Sequence, residues 1–332
     1  MKKFLALLLA LVMVFALAAC GEEPTTESAA PSADPYADVS TEDLIAQLKT
    51  VNDGQLTVAT SPDFAPYEFY ALDENGEPYL AGFDLALAEY LADFMGLECD
   101  ITPMDFDGVL NEVGAGLVDI GMAGLSPDPK REDAMDFSDL YYLGGQSFVT
   151  TKDKADLFPD LESVNNPEYQ IGCQNGSIQQ DLANEYAAPE SIVVLTKVTD
   201  IVAELVSGTL DGAFIETAVA ENYAVSNPEL DVLLDVPYEE AAGSAVGVAK
   251  GNPVLLELIN RGIAQCIADG SMAQFIAEAN ELSLGDKYEG LLDEQGHIPT
   301  TDAEVVTSDA PAATSEAPVV TSEAPAEESA AA

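Results

Sequence analysis

Arginine is scarce in this chain, and the arginine that lies among turn residues is the first candidate for binding chemistry. Arg131 follows Ser126 and two prolines after an apolar run over residues 120–125, whereas Arg261, the second arginine, lies in a helical pattern. A guanidinium binds a carboxylate through two charge-assisted hydrogen bonds, which lysine cannot reproduce. The stretch therefore predicts a carboxylate site, with a short helix beginning at Lys130–Arg131. A surface turn with an exposed ion pair is the alternative.

The composition argues against several classes of function. The 332 residues include 60 Asp and Glu, 11 Lys and Arg, and one His. Such an acidic chain lacks the basic surface that nucleic-acid binding requires. The single histidine, His297, lies beside a low-complexity tail, which argues against histidine-based catalysis and histidine-ligated metals. We expect no metal site, no cofactor and no enzyme activity.

The two ends of the chain differ in composition from its centre. Residues 1–19 begin with lysines and continue as an apolar run too short to span a bilayer, which predicts a signal peptide. The run ends in Leu-Ala-Ala-Cys-Gly, which resembles the lipobox of bacterial lipoproteins, so Cys20 is expected to carry lipid. Residues 20–52 predict a tether with a short helix over 41–51. Residues 286–332 predict an acidic, disordered, low-complexity tail.

Three further cysteines lie in the central part of the chain. Cys99 and Cys173 occur in strand-like runs and Cys266 in a helical one, without the spacing of a metal site or a disulfide framework. We expect them to be small buried side chains.

Strand and helix patterns alternate through the centre of the chain. Three strand patterns enclose two helical ones before residue 125, a second set follows from residue 170, and a strand over 244–249 returns to the first set. This alternation predicts two lobes, each a mostly parallel sheet flanked by helices. The first lobe is predicted over residues 53–146 plus 243–285 and the second over 147–242. Hinge segments are predicted near 143–150 and 238–242.

Helix and strand ends within the first lobe can also be predicted. Asp84 is expected to be the N-cap of a helix that Gly96 ends, and a strand is expected over 118–125. Polar or aromatic residues recur in five loops at the carboxyl ends of predicted strands, where open α/β sheets bind ligands. These loops are 61–67, 104–108, 124–131, 174–177 and 216–217.

Four motifs in succession resemble a known family. Residues 82–84 (Gly-Phe-Asp), 103–108, 123–131 and 136–142 follow one another as in the extracytoplasmic solute-binding proteins of family 3, the polar amino-acid-binding proteins of ABC importers. The resemblance covers residues 55 to about 283. It implies the two-lobed periplasmic-binding-protein type II fold.

The resemblance also implies roles for individual residues. Arg131 would bind the ligand α-carboxylate, Phe64 and Phe106 would sandwich the ligand side chain, and Glu216 would bind the α-ammonium. Ser61 stands where several relatives have an aspartate that contacts the ligand side chain, which disfavours a dedicated arginine or lysine binder unless a neighbouring carboxyl replaces it. The full set of expected ligand-binding residues is Ser61, Asp63, Phe64, Phe106, Ala123, Gly124, Ser126, Arg131, Gln174, Gly176, Ser177 and Glu216.

The sequence thus predicts a lipid-anchored, monomeric, extracytoplasmic protein. It would close two lobes around a polar amino acid and deliver the amino acid to an ABC importer permease. A ligand-sensing receptor module is one alternative. A dehydratase acting on prephenate-like acids with the same fold is another.

Overall fold

Two five-stranded sheets carry most of the structure. The computed structural model describes residues 35–238 and 243–285. The strands are β1 (Gln55–Thr60), β2 (Asp63–Phe64), β3 (Glu68–Leu72), β4 (Pro78–Ala81), β5 (Glu98–Pro103), β6 (Ile120–Gly121), β7 (Met135–Tyr142), β8 (Gln146–Thr151), β9 (Ile171–Gln174), β10 (Ile192–Leu195), β11 (Gly212–Glu216), β12 (Leu230–Val236) and β13 (Ser244–Ala249). The helices are α1 (Thr41–Ile45), α2 (Phe83–Met95), α3 (Phe106–Ala115), α4 (Ile178–Tyr186), α5 (Val198–Ser207), α6 (Thr217–Ser226), α7 (Pro253–Asp269) and α8 (Ser271–Ser283).

The first sheet has the order β5-β1-β6-β13-β7. Strand β1 pairs in parallel with β5 and β6, whereas β13 pairs antiparallel with β6 and β7. The apolar residues of β1, such as Leu56 and Val58, are fully buried, because helices cover the sheet. A small antiparallel sheet, β2-β3-β4, precedes α2. The five-stranded sheet, the small sheet and the helices that cover them form the first lobe.

The second sheet has the order β10-β9-β11-β8-β12 and forms the second lobe. Strand β9 pairs in parallel with β10 and β11, and β8 pairs antiparallel with β11 and β12. Helices α4, α5 and α6 pack on this sheet. Each sheet is therefore mixed, with two parallel and two antiparallel pairings. The antiparallel pairings are those of β13 in the first sheet and β8 in the second, the strands with which the chain returns to or enters that lobe.

Several predicted element ends need correction. Helix α2 begins at Phe83 with Gly82 as its N-cap, so Asp84 lies inside the first turn and does not cap the helix. Its carboxylate instead accepts a hydrogen bond from the Gly124 backbone N–H at 3.0 Å. Gly96 ends α2 in the left-handed conformation, as predicted.

Other corrections concern short elements. The strand expected over 118–125 is reduced to β6, and hydrogen-bonded turns replace the helix expected at Lys130–Arg131. The helix expected over 41–51 ends at Ile45. Strands β2–β4 and β12 lacked a clear alternation and were not predicted. Cys173 and Cys266 are buried as expected, but Cys99 is only partly buried because β5 is an edge strand.

Some predictions fall outside the described residues. These are the signal peptide, Cys20 and most of its tether, residues 239–242 of the second hinge, the acidic tail and His297. Within the described ranges, no helix is both long and apolar enough to cross a membrane.

Candidate functional site

A cavity lies between the two sheets, and loops from the carboxyl ends of strands in both lobes line it. Its volume is about 20 Å³. The first lobe contributes Phe64, Phe106, Ala123, Gly124, Ser126 and Arg131, and the second lobe contributes Gln146, Gln174, Ile178, Gln179 and Glu216. Eight of the twelve expected binding residues thus come together around one cavity.

Arg131 is held in place by backbone carbonyls from both lobes. A turn closed by the Arg131 N–H to the Asp128 carbonyl (2.8 Å) places its side chain. Nη1 donates to the Ser126 carbonyl at 3.3 Å and Nη2 to the Gly176 carbonyl of the second lobe at 3.1 Å. The guanidinium also lies 5.7 Å from the centroid of the Phe106 ring.

Among the described residues, no carboxylate forms an ion pair with Arg131. None of the ion pairs found in residues 35–238 and 243–285 includes it. Burial lowers the pKa of Arg131, because the charged form loses water. A guanidinium has more N–H donors than the two used here. Arg131 therefore retains the capacity to bind an anion.

Glu216 is the carboxyl group that the second lobe contributes to the cavity. It ends β11 and caps α6, and its Oε2 accepts a hydrogen bond from the Val219 N–H at 2.9 Å. Its Oε1 accepts from the Gly145 N–H at 3.4 Å, in the segment between β7 and β8. Burial raises the pKa of Glu216 to about 7, although these backbone N–H groups act in the opposite direction. A bound cation would favour the ionised form of this group.

Gly124 brings the backbone close to an aromatic side chain. Its φ is +55°, and a Cβ at this position would lie 2.7 Å from Cε1 of Phe64. Only glycine allows both the left-handed conformation and this close approach. The Gly124 N–H is bonded to Asp84, so it does not point into the cavity as a free donor.

Three glutamine side chains give the second-lobe wall its polarity. Gln179 Nε2 donates to Gln146 Oε1 at 2.7 Å, and both side chains are buried. Gln174 Nε2 donates to Asp63 Oδ2 at 3.2 Å and to the Thr196 carbonyl at 3.1 Å.

Gln146, Ile178 and Gln179 were not predicted. Gln146 begins a strand, and the other two lie in the first turn of α4, where nothing in the sequence distinguishes them from packing residues.

Four expected binding residues do not line the cavity, namely Ser61, Asp63, Gly176 and Ser177. Asp63 is buried and accepts hydrogen bonds from Ser61 Oγ (2.9 Å), Gln174 Nε2 (3.2 Å) and the Val198 N–H (2.6 Å). Burial raises the pKa of Asp63 to about 6. Ser177 caps α4, and the Gly176 carbonyl accepts from Arg131. These residues do not contact the cavity but hold lining residues in place, as Asp63 does for Gln174 and the Gly176 carbonyl for Arg131.

Polar contacts join the two lobes around the cavity. Besides the Arg131–Gly176 and Asp63–Val198 hydrogen bonds, Asn175 Nδ2 donates to Asp107 at 3.1 Å, and Lys130 forms an ion pair with Asp181 at 2.7 Å. The structure is therefore in a closed conformation, in which first-lobe and second-lobe side chains meet over the cavity.

Comparisons with known proteins agree with this architecture. The model of the family described as bacterial extracellular solute-binding proteins, family 3, matches residues 56–279. The arginine-binding extracellular protein ArtP of Bacillus subtilis (strain 168) is 31% identical over 277 residues, covering 82% of this chain and 95% of that protein. The histidine-binding periplasmic protein of Escherichia coli (strain K12) is 27% identical over 224 residues, covering 65% and 84%.

A solved structure confirms the two-lobed α/β fold. The amino acid ABC transporter substrate-binding protein AbpA from Streptococcus pneumoniae Canada MDR_19A, bound to L-arginine, matches with a TM-score of 0.66 at 29% identity. The match covers 70% of this chain and 96% of that chain.

Proposed function

The chain belongs to the bacterial extracellular solute-binding proteins of family 3, and we propose that it captures a free polar amino acid and delivers it to an ABC importer permease. The observation that carries the proposal is that Arg131 of the first lobe and Glu216 of the second lobe line the same cavity. A zwitterion needs one cation and one anion at its two ends, and burying it without them would be costly.

Each end of the ligand has a proposed partner. We assign the α-carboxylate to Arg131 and Ser126, and the α-ammonium to Glu216. Phe64 and Phe106 are proposed to contact the ligand side chain, since both rings line the cavity. Relatives named for binding arginine and histidine support an amino acid as the ligand class.

Ligand binding is proposed to be coupled to lobe closure. We take residues 53–145 plus 243–285 as one lobe and 146–242 as the other, one residue away from the predicted boundary because Gln146 begins β8 of the second sheet. The hinges are proposed near 143–150 and 238–242. Arg131 lies in the first lobe and Glu216 in the second, so only the closed conformation presents both to one ligand. A ligand that contacts both lobes would increase the closed population through these added contacts.

A thermal-shift screen tests the ligand class. The protein is heated with each of the twenty amino acids and cystine. A ligand at a hundredfold excess over its Kd adds roughly 2.7 kcal/mol of apparent stability. We expect one or a few polar amino acids to raise the melting temperature. If none of them did so, the assignment to amino-acid capture would have to be abandoned.

We also propose that the protein acts as a monomer tethered outside the bacterial cell membrane through a lipid on Cys20. The support is the lipobox pattern that ends at this cysteine, followed by a tether rich in Pro, Ser and Glu. The test is metabolic labelling with an alkynyl fatty acid in a bacterial host, comparing the wild type with Cys20→Ser. Label and membrane association should both be lost in the variant. Labelling that persists would rule out Cys20 as the lipid site.

A dehydratase is the second candidate function, because one observation favours it. Glu216 is a buried carboxyl in the cavity whose pKa burial raises to about 7, which suits a general acid. The test is incubation with prephenate, followed by measurement of phenylpyruvate. We expect no product above that of a Glu216→Gln control, since binding of an amino acid is the function we favour.

A further inference from the structure

The cavity lining contains one cationic and one acidic side chain, one from each lobe. Of the eleven residues that line it, Arg131 and Glu216 alone carry a charge. If these two bind the α-carboxylate and the α-ammonium, as in the proposed function on which this inference rests, the lining offers no further charge. A ligand side chain that is ionised would then be buried without a partner, at a large cost in free energy.

What the second-lobe wall offers to a ligand side chain is amide groups. Gln146 and Gln179 are joined by one hydrogen bond, and Gln174 uses its Nε2 to bond Asp63 and Thr196. No described residue bonds the Nε2 of Gln146 or the Oε1 atoms of Gln174 and Gln179. An amide has two donors and an acceptor oxygen, so these side chains can still both donate and accept.

The Asp63 carboxylate, which is bonded to this wall, is shielded from the cavity. Asp63 is not a lining residue, and its oxygens accept from Ser61, Gln174 and the Val198 N–H at the start of α5. The amide of Gln174 lines the cavity and is bonded to the carboxylate behind it. The negative charge of Asp63 is thus used to hold the two lobes together and is not available to a ligand.

We propose that the cavity selects an amino acid with an uncharged, hydrogen-bonding side chain of the amide class, with Gln146, Gln174 and Gln179 as the specificity-determining residues. Glutamine and asparagine fit this description, whereas arginine, lysine, glutamate and aspartate do not. An amide side chain would pair with the free donor and acceptor atoms of the wall. A charged side chain would find none of the opposite sign.

Calorimetric titration of the full-length chain in mild detergent tests the proposal. The ligands are glutamine, asparagine, arginine, lysine, glutamate and aspartate at pH 8. We expect glutamine or asparagine to bind at least a hundredfold more tightly than any of the four charged amino acids. Arginine, lysine, glutamate or aspartate binding within tenfold of the better amide ligand would overturn it.

A variant of the shielding residue gives a second, independent measurement. Gln174→Ala removes the amide that lies between Asp63 and the cavity, so the glutamine-to-arginine affinity ratio is expected to fall at least tenfold. Gln265→Ala, at an exposed position of α7, is the matched control and should leave the ratio unchanged. An unchanged ratio in a folded Gln174→Ala protein would remove Gln174 from the specificity set. If the variant does not fold, the wild-type panel still decides the matter.

The same panel separates this inference from the function beneath it. Tight binding of a charged amino acid refutes the amide selectivity and leaves amino-acid capture intact. Binding of none of the six, together with no stabilisation by the other amino acids, refutes both.

Discussion

Replacing Arg131 with lysine tests the carboxylate site most directly. The substitution keeps the positive charge and removes the planar fork, so a loss of affinity would report geometry and not charge alone. In the structure the guanidinium already donates to the carbonyls of Ser126 and Gly176, which fixes its plane while donors remain for a ligand. An ammonium group has no comparable fixed plane.

The expected size of the effect follows from the hydrogen bonds at stake. A two-pronged contact reduced to a single one loses about one hydrogen bond to a charged group, worth roughly 1.5–3 kcal/mol. Since about 1.4 kcal/mol is a factor of ten in Kd, Arg131→Lys should weaken binding by roughly 10- to 150-fold. The lost Arg131–Gly176 contact between the lobes acts in the same direction.

Isothermal titration with the amino acid that gives the largest thermal shift measures this change. Arg261→Lys is the control, because Arg261 does not line the cavity. Arg261 forms an ion pair with Glu257 on its own helix at 2.6 Å, and lysine preserves the charge at this position. We expect the control to bind like the wild type. An Arg131→Lys affinity within threefold of the wild type would refute the two-pronged carboxylate contact.

Three further outcomes follow from the described geometry. Burial raises the pKa of Glu216 to about 7, and binding of the ligand ammonium requires the ionised form of Glu216. The affinity for glutamine should therefore be constant above pH 7 and fall up to tenfold per pH unit below it. A flat calorimetric profile from pH 5 to 8 would contradict the role of Glu216 as the ammonium partner. Burial and the nearby Asp84 carboxyl raise the pKa of Glu68 well above 4.5, so the folded protein keeps a proton that the unfolded chain releases. The contribution of this proton to stability is therefore lost as the pH rises above the unfolded pKa. Glu68→Gln should therefore gain unfolding free energy over the wild type between pH 4 and 8 in urea titrations, and a constant difference would speak against a protonated Glu68. Gly124→Ala should destabilise by about 1–3 kcal/mol in the same assay, because the new Cβ would meet Phe64, and a neutral result would mean that the ring moves freely.

Residues in loops after strands were the predictable part of the site. Arg131, Phe64, Phe106 and Glu216 follow apolar strand patterns, and the carboxyl ends of neighbouring parallel strands meet at one edge of a sheet. The structure brings all four to one cavity. Gly124 was predictable for the same reason, although the sequence did not indicate that Asp84 would take its N–H.

Residues whose position depends on the other lobe were not predictable. Asp63 is adjacent to Phe64 in sequence, but the Val198 N–H of α5 and the Gln174 amide hold its carboxylate away from the cavity. That geometry exists only when the lobes are closed, and no local pattern records it. Gln146 and Gln179 were missed because a polar residue at a strand start or in a first helical turn is ordinary.

The small volume of the cavity bears on how a ligand reaches it. About 20 Å³ is on the order of the space that one water molecule occupies, which is far less than an amino acid needs. The lobes are held together near the cavity by polar contacts such as Lys130–Asp181 and Asn175–Asp107. An exposed ion pair contributes about 0–1 kcal/mol and a hydrogen bond to a charged group about 1.5–3 kcal/mol, so separating these two contacts costs only a few kcal/mol. We therefore expect the lobes to separate before ligand binds. Closure would then be favoured by ligand contacts to Arg131 of the first lobe and Glu216 of the second, which add to the contacts that the lobes make with each other.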